Sequence, residues 1–156
     1  MSDSKFDVNK ISIRHVELIG FSISNLNEGV DKDDIEGYRF ENISDSAFNL
    51  DVNMAKVELT INIEGLLEDN KSSGASGSFK FDFLFDVENL LELTKEDGKE
   101  DEIKVEPILG MTLLGLSYST ARGIILTRSL GTSLEGVILP VVNPASMNDS
   151  SKDEEE

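Results

Sequence analysis

The sequence predicts an α+β domain in which a four-stranded antiparallel sheet packs against one long C-terminal helix. From Ile11 to Val87 the apolar residues alternate with period two, the period of strands. That period is lost after Pro107, and the run from Ile108 to Leu134 is long enough for a helix of several turns. Strands followed by a helix are the α+β arrangement, and 156 residues suffice for one domain with one core.

The first half of the chain predicts two strands. The first covers residues 11 to 24, where one alternating set carries most of the apolar side chains: Ile11, Ile13, His15, Glu17, Ile19, Phe21 and Ile23. A polar connection over residues 25 to 37 contains several turn-forming residues. The second strand is predicted roughly from Tyr38 to Val52.

The clearest alternation predicts a hairpin formed by the third and fourth strands. One face is aliphatic and aromatic, with Val57, Leu59, Ile61, Ile63, Phe79, Phe81, Phe83, Phe85 and Val87. The opposite face is acidic and wet. The run Ser72 to Gly77, rich in small residues, is predicted to be the hairpin loop.

An acidic loop from Lys95 to Glu102, turning at Asp97-Gly98, separates the sheet from the helix. Pro107 suits the first turn of a helix, where its missing N–H costs nothing. Small residues then recur every fourth position and form one ridge: Gly115, Ser119, Gly123, Thr127 and Gly131. Because each glycine costs a helix roughly 1 kcal/mol, we expect another backbone to approach this ridge closely. Apolar residues on both sides of the ridge predict burial against another subunit.

The composition of the sequence predicts the order of the chain ends and the cellular location. We expect a flexible N-terminal arm over residues 1–10, a domain over 11–145 and a disordered acidic tail over 146–156. Cysteine is absent, which excludes disulfides and thiolate sites. The start lacks the pattern of a signal peptide, and we expect no apolar run to reach the roughly 18 residues of a spanning helix, so the sequence predicts a cytoplasmic protein without membrane insertion.

The net charge of −17 narrows the classes of partner. Nucleic acid and anionic lipid are disfavoured because binding either requires neutralising Lys and Arg. An acidic surface favours a basic protein partner, although solubility alone also explains such a charge.

Nothing in the sequence predicts an enzyme, a cofactor or a metal site. His15 is the only histidine, and no phosphate loop, dinucleotide fingerprint or nucleophile elbow occurs. In the run Asp31 to Asp34 the carboxylates alternate, but the following Gly37 comes one place late for a calcium loop. That run is therefore interpreted as a solvated loop.

Three segments in the last third of the chain carry a family resemblance. They are Leu116-Ser117-Tyr118-Ser119-Thr120-Ala121-Arg122, Arg128-Ser129-Leu130-Gly131-Thr132 and Leu139-Pro140-Val141-Val142-Asn143. Together they resemble the C-terminal signature of the SecB family of export chaperones. The resemblance implies a homotetramer, built as a dimer of dimers, that holds unfolded or precursor polypeptides in apolar grooves without ATP and passes them to the protein translocation machinery.

The resemblance also suggests which residues act. Candidates for client binding are Phe21, Phe79, Phe81, Phe83, Phe85 and Met111, although apolar alternation is first of all a packing signal and favours the stripe from Phe79 to Phe85 as the core beneath the helix. The acidic sheet face with Glu58, Glu64, Asp82 and Asp86 could dock the translocon motor ATPase, or could be an ordinary solvated face. Gly115, Ser119, Gly123 and Thr127 are assigned to the subunit interface, whereas Tyr118 and Arg122 are interpreted as structural.

Departures from the family pattern keep other functions open. Pro144 follows Asn143 where the family usually has phenylalanine, and the acidic tail matches none of the family's motor contact. SecB-like chaperones that serve a toxin and antitoxin pair are one alternative. An acidic interaction module without general chaperone activity is another, and a carrier of small apolar ligands is a third.

Overall fold

The computed structural model describes residues 5–96 and 103–147. Four long strands form one antiparallel sheet: β1 Ile11–Ser24, β2 Gly37–Asn49, β3 Met54–Leu66 and β4 Ser72–Val87. Their order across the sheet is β1-β4-β3-β2, so β1 and β2 form its two edges. A small hairpin of β5 Thr94–Glu96 and β6 Ile103–Val105 leads to the helices α1 Pro107–Arg128 and α2 Pro144–Met147. The predicted α+β class is confirmed.

The core lies between α1 and the inner face of the two central strands. Alternate residues of β3 and β4 are buried along their whole length, because both strands have a neighbour on each side and a helix above. The rings of Phe81 and Phe83 stack at 5.8 Å, and those of Phe83 and Phe85 at 6.4 Å. From α1, the buried apolar side chains that meet this face are Leu109, Leu113, Leu114, Tyr118, Ala121 and Ile125.

Two bulges in β1 correct the predicted alternation of the first strand. The register against β4 shifts between Ile13 and His15 and again between Leu18 and Gly20. After the first bulge the inward positions are therefore Val16 and Leu18, which lie opposite Phe83 and Phe81. His15 and Glu17, predicted on the same face as Ile13, lie opposite Leu84 and Asp82 on the outer face. The second bulge returns Phe21 and Ile23 to the inner face.

The segment Ser72 to Gly77 is not a loop, so that prediction is wrong. It is the first part of β4, and the connection between β3 and β4 is a short turn at Glu68–Asn70. Asp69 and Asn70 adopt positive φ there, which Asp and Asn tolerate better than most residues. Gly74 has φ +90, and a Cβ on it would lie 2.4 Å from the Asn27 nitrogen, because the connection after β1 packs directly against it. The glycines in this segment allow close packing inside a strand.

The other element boundaries differ from the prediction by a few residues. β2 ends at Asn49 and is followed by a turn with Asn53 at φ 53, so Val52 lies outside the strand. α1 begins at Pro107 as predicted but ends at Arg128. Gly131 has φ +78 in the turn after the helix and therefore does not belong to the helical ridge. The β5–β6 pair was not predicted, and the Asp97-Gly98 turn lies outside the described residues.

The described chain ends are anchored to the domain. Asn89 Nδ2 donates to the Lys5 carbonyl at 2.7 Å, and Glu88 N donates to the Lys10 carbonyl at 3.0 Å. At the other end Met147, at the end of α2, is buried. Residues 148–156 lie outside the described residues, so the disordered acidic tail stays a prediction, as do the proposed domain boundaries.

One helix meets the length and composition of a membrane span, contrary to the expectation that no apolar run is long enough. This helix is α1, with a mean hydropathy of 1.2 over its most apolar window. The core helix of a soluble protein passes the same test, and α1 packs against β3 and β4. Packing on the sheet accounts for part of the apolar character of α1, since 39% of that window is buried within the chain.

Candidate functional site

The structure separates the six candidate client-binding residues into buried and accessible ones. Phe79, Phe81, Phe83 and Phe85 are fully buried in this chain, as the core interpretation of the stripe requires. Phe21 is 49% exposed, and its ring lies parallel to that of Phe79 at a centroid distance of 5.9 Å. Met111 is partly buried on α1. Only Phe21 and Met111 are therefore in position to contact another molecule.

One apolar groove, here called the β1 groove, lies between α1 and the inner face of β1. It exists because α1 packs over the two central strands and leaves the inward side chains of the edge strand partly uncovered. The groove has a volume of about 590 Å³. Its lining residues are Val16, Leu18, Thr120, Gly123, Ile124, Thr127 and Arg128.

A second groove, here called the C-terminal groove, lies on another side of α1. Its volume is about 320 Å³, and its wall is the extended segment that follows the helix. Val141 on this wall is 88% exposed, which is unusual for a valine in a folded domain. The lining residues are Met111, Thr112, Gly115, Leu116, Tyr118, Ser119, Arg122, Val141, Val142 and Pro144.

Tyr118 fixes the wall of the C-terminal groove to the helix. Its hydroxyl donates a hydrogen bond to the Pro140 carbonyl at 2.6 Å. Burial raises the pKa of the Tyr118 phenol, and the nearby Arg122 guanidinium lowers it by a smaller amount. The phenol therefore stays protonated and acts as a donor, as its structural interpretation from the sequence requires.

The predicted interface residues on α1 form a row that is open to solvent over part of its length. Ser119, Gly123 and Thr127 are exposed, and the Thr127 hydroxyl donates to the Gly123 carbonyl at 3.2 Å. A Cβ on Gly123 would meet nothing within 4 Å, whereas one on Gly115 would touch Pro144 at 3.4 Å. Among the residues that the structure describes, no close contact explains a glycine at position 123.

The outer face of the sheet is acidic, and one row of carboxylates crosses all four strands. Asp45 lies opposite Glu58, Glu58 opposite Asp82, and Asp82 opposite Glu17. Like charges directly opposite each other destabilise a sheet, so this row costs stability. Lys56 offsets part of the cost, because its Nζ lies 3.1 Å from Glu58 and 3.6 Å from Asp82.

The carboxylates of this face raise the pKa of Lys56. The hydrogen bond to Glu58 is the largest cause of its raised pKa, followed by the charge of Asp82. The two other predicted docking residues also form ion pairs. Asp86 lies 3.2 Å from Arg14 Nε, and Glu64 lies 3.5 Å from Arg39 Nη1. All four predicted docking residues therefore lie on one face.

Sequence reasoning missed the groove residues of β1 and of the C-terminal segment. Val16 and Leu18 were assigned to the second face of their strand because bulges are not visible in a period-two pattern. Val141 was noted only as part of the segment Leu139 to Asn143 that carries the family resemblance. The available signal was an apolar run, Val137 to Val142, that is longer than a connection needs.

Among the described residues, no group of three or more His, Asp or Glu side chains could hold a metal ion. His15 Nε2 lies 3.7 Å from Glu17 on the outer face, and both side chains are more than half exposed. In the described part of the chain, the accessible features are thus two apolar grooves and an acidic face.

The chain is similar to known proteins in its three-dimensional structure. No protein-family model and no curated protein matches the chain. Among solved structures, the chain is similar to the SecB-like chaperone Rv1957 of Mycobacterium tuberculosis, solved in complex with a ChAD peptide from the Rv1956 HigA1 antitoxin. The TM-score is 0.62 at 15% identity, over 86% of this chain and 92% of that one. The chain therefore has the fold of a SecB-like chaperone.

Proposed function

We propose that this protein is an ATP-independent chaperone that binds unfolded or export-bound polypeptide segments in the grooves beside α1. The observation that carries the proposal is the pair of open, largely apolar grooves on a fold similar to that of a SecB-like chaperone. Non-native chains expose scattered apolar side chains on an extended backbone, and such grooves suit them.

The distribution of charge supports the same proposal. α1 carries two arginines and no Asp or Glu, whereas the outer sheet face carries the carboxylate row. An apolar segment that binds beside α1 therefore does not need to strip water from the carboxylates of the outer sheet face. The acidic face is left free for a different partner with basic character, and the translocon motor ATPase is our proposal for that partner.

Assembly and location complete the proposal. Ser119, Gly123 and Thr127 form an exposed stripe on α1, here called the small-residue stripe, and no contact among the described residues explains the glycine in it. This stripe supports helix-to-helix contact between subunits of a homotetramer. We place the protein in the cytoplasm, where export-bound chains are met before translocation.

A chaperone dedicated to one partner is the second candidate. The solved neighbour is bound to a peptide from an antitoxin, which favours a specific partner as much as a general client. The two functions differ in breadth of binding: a general chaperone binds many unfolded chains, whereas a dedicated one binds a single sequence tightly.

The first experiment measures light scattering while an unfolded, aggregation-prone protein is diluted into buffer with or without this protein and without nucleotide. Light scattering is preceded by chromatography with multi-angle detection, which gives the number of subunits. Suppression by a tetramer supports the general chaperone. Absence of suppression at a several-fold excess contradicts it and directs attention to a single partner.

A matched pair of variants tests whether the C-terminal groove binds the client. Val141→Glu places a charge on the groove wall, while Ile138→Glu places the same charge on a neighbouring residue that is 67% exposed and does not line the groove. We expect Val141→Glu to weaken suppression and Ile138→Glu to leave it unchanged. Equal behaviour of the two variants contradicts a role for this groove.

A further inference from the structure

The two edges of the sheet differ in how well they can accept another strand. An edge strand presents unpaired N–H and C=O groups at every second residue, and natural proteins usually interrupt such edges. β1 is interrupted by two bulges. β2 pairs with β3 in unbroken register over 13 residues, from Gly37 opposite Leu66 to Asn49 opposite Met54, and contains no proline and no lysine.

Hydrogen bonds at the end of β4 show which β2 amides face outward. Val87 N donates to the Asn53 carbonyl at 2.9 Å, on the β3 side, and Glu88 N donates to the Lys10 carbonyl, on the β1 side. In an antiparallel ladder the bonding direction alternates residue by residue. Carried through the register of β4, β3 and β2, this alternation directs the even-numbered β2 residues away from β3.

The outer edge of β2, a strand that α2 also contacts, therefore directs the backbone N–H groups of Phe40, Asn42, Ser44, Ser46 and Phe48 away from β3 at regular spacing. The Ser46 N–H already has a local partner, since it donates a hydrogen bond to Oδ1 of the neighbouring Asp45 at 3.0 Å. This bond agrees with an outward direction of the Ser46 N–H. No described residue accepts a hydrogen bond from the backbone N–H of the other four. Their spacing of roughly 6.8 Å matches the repeat of an extended peptide.

We propose that β2 is a strand-acceptor edge, to which an extended, neutral or basic polypeptide segment adds as a fifth strand. This inference rests on the proposed polypeptide binding and specifies its mode: backbone hydrogen bonds to β2, with side chains alternating between the two faces of the sheet. The β1 edge is less suitable, because its bulges break the outward amides into short sets, at Ile13, then at Val16 and Leu18, and then at Phe21 and Ile23.

Charge complementarity identifies the preferred occupant. On the outer face, Glu41 and Asp45 of β2 form no ion pair with a described residue, whereas Arg39 is already paired with Glu64. An added strand with lysine or arginine on its outer face lies directly beside these carboxylates. On the inner face the same segment meets Asn42, whose buried Oδ1 has no hydrogen-bond partner. A side-chain donor of the segment can supply one.

Residue-resolved amide exchange measured by NMR tests the proposal with a defined probe. The probe is a synthetic peptide of alternating valine and threonine, with a lysine at each end. At saturating peptide we expect exchange at Phe40, Asn42, Ser44 and Phe48 to slow at least about tenfold. Outward amides of β1 at Ile13 and Ile23, which line neither groove, serve as the control and should not change.

A variant pair tests the same edge through affinity. Ser44→Pro removes one outward N–H without removing a bond to β3, and proline is tolerated on edge strands. Ser44→Ala removes only the hydroxyl and keeps the N–H. By fluorescence anisotropy of the labelled probe, we expect Ser44→Pro to lose about tenfold in affinity and Ser44→Ala to remain within about threefold of the original protein.

Each contrary result has a distinct meaning. Peptide binding with unchanged exchange at the β2 amides overturns the strand addition but leaves binding in the grooves. Suppression of aggregation without any binding of the probe also overturns only the strand addition. If the four amides are protected before peptide is added and multi-angle scattering shows a dimer that loses this protection on dilution, a second copy occupies the edge and the proposal is wrong.

Discussion

Replacing Gly123 by alanine separates the stability of the folded chain from the stability of its assembly. A Cβ at this position meets nothing within 4 Å, so the methyl group fits without displacing any atom of the chain. Alanine is favoured over glycine in a helix interior by about 1 kcal/mol. For a chain of this size, that gain raises the melting temperature by about 2–4 °C.

The assembled protein should respond in the opposite direction. If the small-residue stripe of Ser119, Gly123 and Thr127 packs against a helix of another subunit, the added methyl group separates two backbones that approach closely. The affinity between subunits then falls. Gly110→Ala is the matched control, since that position is also open within 4 Å but lies outside the stripe. The assays are thermal unfolding of dissociated protein and multi-angle scattering across a dilution series.

Two results would refute this reasoning. Destabilisation of the dissociated chain by Gly123→Ala means that the space around this residue is not open. Equal assembly of the Gly123→Ala and Gly110→Ala variants, both stabilised, means that the stripe is not a subunit interface. The glycine would then need another explanation.

Three further predictions concern the core, the outer face and the C-terminal segment. Phe81→Ala should lower the free energy of unfolding by about 3–5 kcal/mol, because it empties a fully buried site, whereas Phe21→Ala should cost clearly less; urea unfolding measures both. Lys56→Met should lower the urea midpoint at pH 7, because the two carboxylates that the lysine bonds lose their counter-charge. Folding raises the pKa of Lys56, so the stabilisation that its charge provides is complete below the unfolded pKa of 10.5 and is lost as the pH rises through the folded pKa. The urea midpoints of the original protein and of Lys56→Met should therefore converge in that pH range. Tyr118→Phe should cost about 1 kcal/mol and speed amide exchange in the segment that the hydroxyl holds.

These predictions have their own controls. Lys80 lies on the same face as Lys56 but forms no ion pair with a described residue. Lys80→Met should therefore leave the urea midpoint nearly unchanged. A loss as large as that of Lys56→Met would show that general charge, not the local pair, sets stability. For Tyr118→Phe, unchanged exchange between residues 137 and 144 would mean that packing alone holds the segment.

The sequence predicted the fold well where alternation reports burial on one face. In β3 and β4 every second residue is buried, so the apolar pattern and the structure agree along both strands. β1 was harder, because each bulge shifts the phase by one residue and the shifted pattern still appears to alternate. Serines and glycines between residues 72 and 77 predicted a loop, yet their small size serves close packing against Asn27.

The candidate site was predictable only in part, for a related reason. Apolar character marks Phe79 to Phe85 strongly, but it does not distinguish a core from a binding surface, and all four rings are buried. The grooves arise from where α1 rests on the sheet, which depends on tertiary packing that the pattern does not report. The acidic outer face followed directly from alternation, since the polar residues of β3 and β4 had to share one side.

The paired bulges of β1 also affect which changes in chain length the strand can tolerate. Deleting one bulge residue, Arg14 or Ile19, would remove that bulge and leave every other residue of β1 opposite its present partner, whereas deleting a regularly paired residue such as Glu17 would turn the residues on one side of the deletion to the opposite face. Deleting both would give a regular strand whose two ends keep their present partners, Val87 and Ser76. Deletion of either bulge residue, or of both, is therefore compatible with the present pairing, and the double deletion gives a sheet with two uninterrupted edges instead of one. We expect it to fold, and then to associate edge to edge.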